Sequence, residues 1–170
     1  MNSAELAHDF YNSHNQDEQH LTFKLGDLDY GLPIVKVQEI KGWSRVTPLP
    51  NTPHYIRGVL NLRGTIVPVI DLRLRFGLEE VEYDQFTVIV VVNIGGRFAG
   101  FVVDSVSDVI NVGEDSRCVA PEFEGHVNRQ FIAGLAQIDK KLLVLLDVDK
   151  LINPEALPSL EGAVSNSSSS

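Results

Sequence analysis

The chain states the same segment twice, and that repetition limits the folds open to it. Residues 56–74 read IRGVLNLRGTIVPVIDLRL and residues 132–150 read IAGLAQIDKKLLVLLDVDK. An offset of 76 sets Gly58 on Gly134, Leu62 on Ile138, Ile66 on Leu142, Val69 on Leu145 and Asp71 on Asp147. An offset of 69 aligns a second pair of segments, with Leu25-Gly26 on Ile94-Gly95, Gly31 on Gly100, Val37 on Val106, Glu39 on Asp108 and Ile40 on Val109. The copies run over roughly residues 21–76 and 90–152. Neither is long enough to bury a generous core alone. The two copies should pack together, and their seam is the first place to look for function.

Within each copy the signals are mostly strand. Residues 20–25 alternate around Leu21, Phe23 and Leu25, Gly26-Asp27 turns the chain, and residues 30–35 return. Residues 37–46 give a third strand. Pro48, Pro50 and Pro53 then force an extended loop, because proline donates no backbone N–H and biases its predecessor away from helix. Residues 59–62 and 65–70 flank Arg63-Gly64, a tight hairpin turn in which Gly64 supplies positive φ. The second copy repeats the order over residues 86–94, 98–103, 106–112, 134–138 and 142–146. About five strands per copy suffice to close a small barrel without exposed edges.

The fold class expected is mainly β, with lobe 1 at about residues 20–80 and lobe 2 at about 85–152. Short helical patterns follow Asp71 and Asp147, and an aspartate at such a boundary caps the helix. Gly58 and Gly134, matched between the copies, are expected to be structural positions like Gly64. Residues 1–19 read as a polar, flexible arm with a short helix near 4–11, and residues 154–170 as a disordered tail ending in serines.

Charge and composition exclude several functions. The 14 basic against 23 acidic residues give a net charge of -9, which disfavours binding to nucleic acid or to an anionic membrane. Cys118 is the single cysteine, so no internal disulfide forms and a reducing cytosol fits. The longest apolar runs, such as residues 88–92, fall far short of a membrane span, and no secretory signal is visible. The expected location is cytoplasmic.

No arrangement of residues announces catalysis or a metal. His8, His14, His20, His54 and His126 lack ligand-like spacing. Gly95-Gly96 sits between strands, without the downstream lysine and hydroxyl of a phosphate loop. Asp71 and Asp147 resemble a carboxylate pair only superficially, since two matched helix caps explain them. Arg63 stands out because its repeat mate is Asp139, so the hairpin itself does not require arginine. An exposed arginine there could anchor a partner's carboxylate or carbonyl, or be a solvated surface residue. The strand around Val37 and Glu39, with one apolar and one acidic face, is either a barrel wall or the lining of a groove.

Taken in order, several motifs match one family: Tyr30-Gly31-Leu32-Pro33-Ile34, Val37-Gln38-Glu39-Ile40, Thr52-Pro53, Ile56-Arg57-Gly58, Asn61-Leu62-Arg63-Gly64 and Val67-Pro68-Val69-Ile70-Asp71-Leu72-Arg73. Residues 100–108, Ala120-Pro121-Glu122-Phe123 and residues 134–152 agree in the second half. Over residues 20–153 the chain resembles the CheW family of bacterial chemotaxis coupling proteins. The resemblance implies two five-stranded SH3-like barrels and an adaptor without catalysis or cofactor. It also implies two partners, the cytoplasmic tip of methyl-accepting chemoreceptors and the regulatory domain of the histidine kinase CheA, and hence recruitment to receptor arrays. The family's receptor-facing positions fall on Val37, Glu39 and Arg63, with Val106 on the opposite groove wall; the kinase contacts are not placed. The rival reading is a barrel that binds or turns over a small ligand, which would need a pocket with convergent polar groups.

Overall fold

The computed structural model describes residues 19–118 and 129–152. The N-terminal arm, the Ala120 to Phe123 motif and the C-terminal tail therefore lie outside the described residues. Among the described residues eleven strands form two sheets. The first is six-stranded, in the order β8-β1-β2-β11-β10-β9, and the second five-stranded, in the order β3-β6-β7-β5-β4. In chain order the strands are β1 (Gln19–Leu25), β2 (Leu28–Pro33), β3 (Val37–Gly42), β4 (Ile56–Leu62), β5 (Thr65–Asp71), β6 (Val88–Ile94), β7 (Arg97–Val103), β8 (Ser105–Asn111), β9 (Arg117–Cys118), β10 (Ile132–Ile138) and β11 (Lys141–Leu146). The helices among the described residues are short: α1 (Leu72–Arg75), α2 (Val148–Leu151) and three single 3-10 turns.

The sheets do not divide where sequential lobes at 20–80 and 85–152 would divide them. Hairpin β1–β2 lies in the sheet built mostly from the second copy, between β8 and β11. Its repeat mate, hairpin β6–β7, lies between β3 and β5 of the first copy. The two hairpins have exchanged places. The remaining registers are repeat-related. β2 runs parallel to β11 through Gly31↔Leu145, and β7 runs parallel to β5 through Gly100↔Val69. Bulges at Ile56/Gly58 and Ile132/Gly134 occupy matching places in the two long hairpins.

Among the described residues three apolar clusters follow from this topology. The largest joins both sheets and both helices, including Phe23, Tyr30, Ile70, Phe76, Phe101, Phe131, Leu146 and Leu151. An aromatic row Phe23–Tyr30–Phe76–Phe131 runs through it, with centroid spacings of 5.8, 5.8 and 6.0 Å. The interior of the five-stranded lobe holds Val46, Val67, Val69, Ile89, Val91 and Val102, covered by Trp43, Tyr83 and Phe98. The six-stranded lobe has a smaller interior of Val112, Ala136, Leu143 and Leu145.

Both expected helix caps are present. Asp71 accepts from the Leu74 N–H at 3.3 Å and Asp147 from the Lys150 N–H at 3.3 Å. Gly58 is required by its surroundings. Its φ is 146°, and a Cβ there would lie 2.2 Å from the Thr47 carbonyl oxygen. Gly134 has no such constraint, since a Cβ would meet only Leu145 Cδ1 at an ordinary 3.9 Å.

Candidate functional site

The tip of the β4–β5 hairpin carries Arg63 and Gly64, both in the left-handed region at φ 51° and 89°. This agrees with a two-residue turn, which needs positive φ at both central positions. Asn61 Oδ1 accepts from the Gly64 N–H at 2.8 Å and fixes the tip. The turn projects the Arg63 side chain outward, leaving it 72% exposed. There it donates to Glu39 of β3, which is only 28% exposed. β3 and β4 are the two ends of the five-stranded order, so the ion pair joins edges that the sheet's curvature brings together. The Thr47↔Val59 bridge, with N–H···O distances of 2.9 and 2.8 Å, closes the same side.

Val37 begins β3 opposite Val92, and Val106 sits on β8 opposite Phe23. Both are half-buried and pack against the core shared by the two lobes. The structure thus pairs Glu39 with Arg63 at the rim of one lobe and puts Val37 and Val106, one in each sheet, on the seam. Sequence reasoning missed the exposed apolar side chains nearby: Val35 in the turn before β3, Ile40 on β3 and Ile66 on β5 are 56, 43 and 45% exposed. A usable signal existed in the repeat. Ile40 matches Val109 and Ile66 matches Leu142, and all four are exposed.

The repeat-related face of the six-stranded lobe has different chemistry. Asp108 stands in place of Glu39 and Asp139 in place of Arg63. These two carboxylates, with Lys24, Lys141 and Leu142, border a groove of about 310 Å³. Asp29 also lines it, where the other lobe has Phe98 covering its interior. One fold therefore presents two related faces, one with an Arg–Glu pair and the other with mixed acids and lysines.

Between the lobes, Arg73 of α1 forms a two-pronged pair with Asp104, Nε to Oδ1 at 2.7 Å and Nη2 to Oδ2 at 2.5 Å. The Gly26 N–H, in the β1–β2 turn, donates to the same carboxylate at 2.8 Å. Burial acts to raise the Asp104 pKa, but the Arg73 and Gly26 hydrogen bonds outweigh it and hold the group below the usual aspartate range. On the opposite side the repeat mate of Arg73, Asp149, meets Lys36 at 3.7 Å in a more exposed pair. Among the described residues no cluster of His, Cys, Asp and Glu could hold a metal ion, and no helix is long and apolar enough to cross a membrane.

A family model described as the CheW-like domain matches residues 19–156. A chemotaxis protein CheW of Klebsiella aerogenes is 44% identical over 140 residues, covering 82% of this chain and 84% of the relative. A chemotaxis protein CheW of Bacillus subtilis is 32% identical, covering 84% of this chain and 91% of the relative. The crystal structure of scaffolding protein TtCheW from Thermoanaerobacter tengcongensis superposes with a TM-score of 0.75 at 34% identity, covering 84% of this chain and 92% of that one.

Proposed function

The chain belongs to the CheW-like family and has its adaptor role in chemotaxis signalling, and on that premise we propose that it couples the cytoplasmic tip of methyl-accepting chemoreceptors to the histidine kinase CheA without catalysing a reaction. The observation that carries this reading is the Arg63–Glu39 pair at an exposed rim bordered by Ile40 and Ile66. An arginine held by a carboxylate on a rigid turn, beside exposed aliphatic side chains, is a ready-made anchor for a helix laid across the lobe. Val37 and Val106 extend the receptor-facing surface to the seam.

Coupling needs two surfaces that distinguish their partners. The repeat supplies two related faces, and the exchange of Arg63 for Asp139 makes them electrostatically unlike. The test is assembly from purified parts. This protein, a receptor tip fragment and the CheA regulatory domain should co-elute as a ternary complex, and each partner should also bind singly. If receptor and kinase compete for the protein, or if either fails to bind, the coupling reading falls. The same reading places the protein in the cytoplasm, at receptor arrays.

A further inference from the structure

The five-stranded lobe fills its interior at a place that the six-stranded lobe leaves open. Phe98 of β7 packs over the five-stranded interior. Its repeat mate, at the offset of 69, is Asp29 of β2. The registers agree with the match: Phe98 lies opposite Asn93 and Asp29 opposite Lys24, and Asn93 and Lys24 are themselves mates. Asp29 carries no ring, and its place opens into the groove of about 310 Å³. Ile110, Ile138 and Leu143 give that groove an apolar lining. Ile138 and Leu143 are the mates of Leu62 and Val67, which belong to the cluster that Phe98 packs on.

Charges of both signs stand around this lining. Half-buried Asp29 and exposed Asp108 and Asp139 supply carboxylates, and exposed Lys24 and Lys141 supply ammonium groups. Among the described residues neither lysine forms an ion pair with these carboxylates, although Lys24 faces Asp29 directly across β1–β2. The Thr22 hydroxyl, also in the lining, is already engaged. It donates to the Asp108 carbonyl and accepts from the Asp108 N–H, each at 3.1 Å. Recognition therefore falls to an apolar surface that lacks one ring and to unpaired charges of both signs beside it.

We propose that this groove binds a free aromatic α-amino acid, with the ring in the space that Phe98 takes in the other lobe. The ring buries apolar surface against Ile110, Ile138 and Leu143. The ammonium group meets Asp29, the most enclosed of the five charges, and the carboxylate meets Lys24 or Lys141. Charge complementarity selects a free amino acid over a partner's side chain. A ring within a polypeptide has lost the ammonium and carboxylate on its own α carbon to peptide bonds, so it would leave the groove's charges unanswered. A fatty chain or a simple amine would likewise use only part of the site. The occupied groove completes the six-stranded interior, so binding favours the folded chain. The site lies in the opposite lobe from the Arg63–Glu39 rim.

The test is a titration of the full-length chain with L-phenylalanine, read by amide NMR. The amides of Asp29, Asp108 and Leu142 should shift and saturate while those of Arg63 and Ile66 stay still, and Tm should rise by a few degrees. L-Alanine, which has no ring, and 3-phenylpropionate, which has no ammonium group, should each bind about tenfold more weakly or worse. Asp29→Asn keeps the shape of the groove and should weaken L-phenylalanine binding by about tenfold. Asp29→Phe supplies the ring from the chain itself, as the other lobe does, and should raise Tm and abolish the shift at Leu142. Absence of saturable shifts in the wild-type chain overturns the proposal. So does L-alanine binding as tightly as L-phenylalanine, or Asp29→Asn binding like wild type. Shifts at the same amides that follow protein concentration alone place a second copy in the groove and overturn it too. If Asp29→Phe fails to fold, Asp29→Asn and the ligand series decide the matter.

Discussion

Arg63 and its repeat mate Asp139 adopt nearly the same backbone, φ 51° and 50°. The turn therefore tolerates either side chain, and arginine is not there for the fold. The Arg63 end of its ion pair with Glu39 is exposed to solvent, and pairs screened in this way contribute little to stability. Arg63→Ala should leave stability within about 0.5 kcal/mol. It should weaken binding to a receptor tip fragment by about 1–2 kcal/mol while leaving CheA binding intact. Paired titrations with melting curves check this, and equal receptor affinity for the two proteins would sink the assignment. Gly58 behaves in the opposite way. A methyl group would strike the Thr47 carbonyl, which is bonded to Val59 across the bridge that closes the lobe. Gly58→Ala should cost on the order of 3 kcal/mol in a denaturant titration, whereas Gly134→Ala should be nearly silent. Sequence comparison alone ranks these two glycines equally, because the clash comes from a loop that the alignment of copies does not include.

At the scale of elements, the short helices and the hairpins were legible because their signals are local. A capping aspartate, a turn glycine and alternating apolar residues each act within a few positions. The clasp of Arg73, Asp104 and Gly26 was not legible, since it joins a helix, a strand junction and a hairpin turn that are distant in sequence. It fastens the exchanged hairpin β1–β2 to α1. The folded pKa of Asp104 is depressed below its unfolded value. Its contribution is therefore fully present above the unfolded pKa, near 4, and is lost as pH falls through the lower folded value. Stability should drop across that acid window. In Asp104→Asn the drop should be shallower, and stability at neutral pH should already be reduced. Urea titrations from neutral pH down to about pH 3 read both effects. Parallel pH curves for the two proteins would show that the clasp contributes nothing.

For the molecule as a whole, the repeat revealed that two similar units exist but not how they share strands. Superposing one copy on the other gives the same alignment whether hairpin β1–β2 stays with its own copy or trades places with β6–β7. Only pairing decides, and β1 bonds to β8 while β2 bonds to β11. The exchange has a thermodynamic consequence. Neither half of the chain holds a complete sheet. Residues 19–86 would contain β3, β4 and β5 without the central strands β6 and β7, and the β1–β2 hairpin without either neighbour. The shared core would also be cut through, since Phe23 and Tyr30 come from one half and Phe131 and Leu151 from the other. An isolated two-stranded hairpin is at best marginal in water. The fragment of residues 19–86 should therefore be unfolded alone by circular dichroism, as should residues 87–152. Mixed together, they should recover β structure and one cooperative melt. The intact chain should melt in a single calorimetric transition whose van't Hoff and calorimetric enthalpies agree, the mark of a two-state unit. Two separable transitions, or a fragment that folds by itself, would mean that each lobe is closed by its own half of the chain and that the exchanged pairing is wrong.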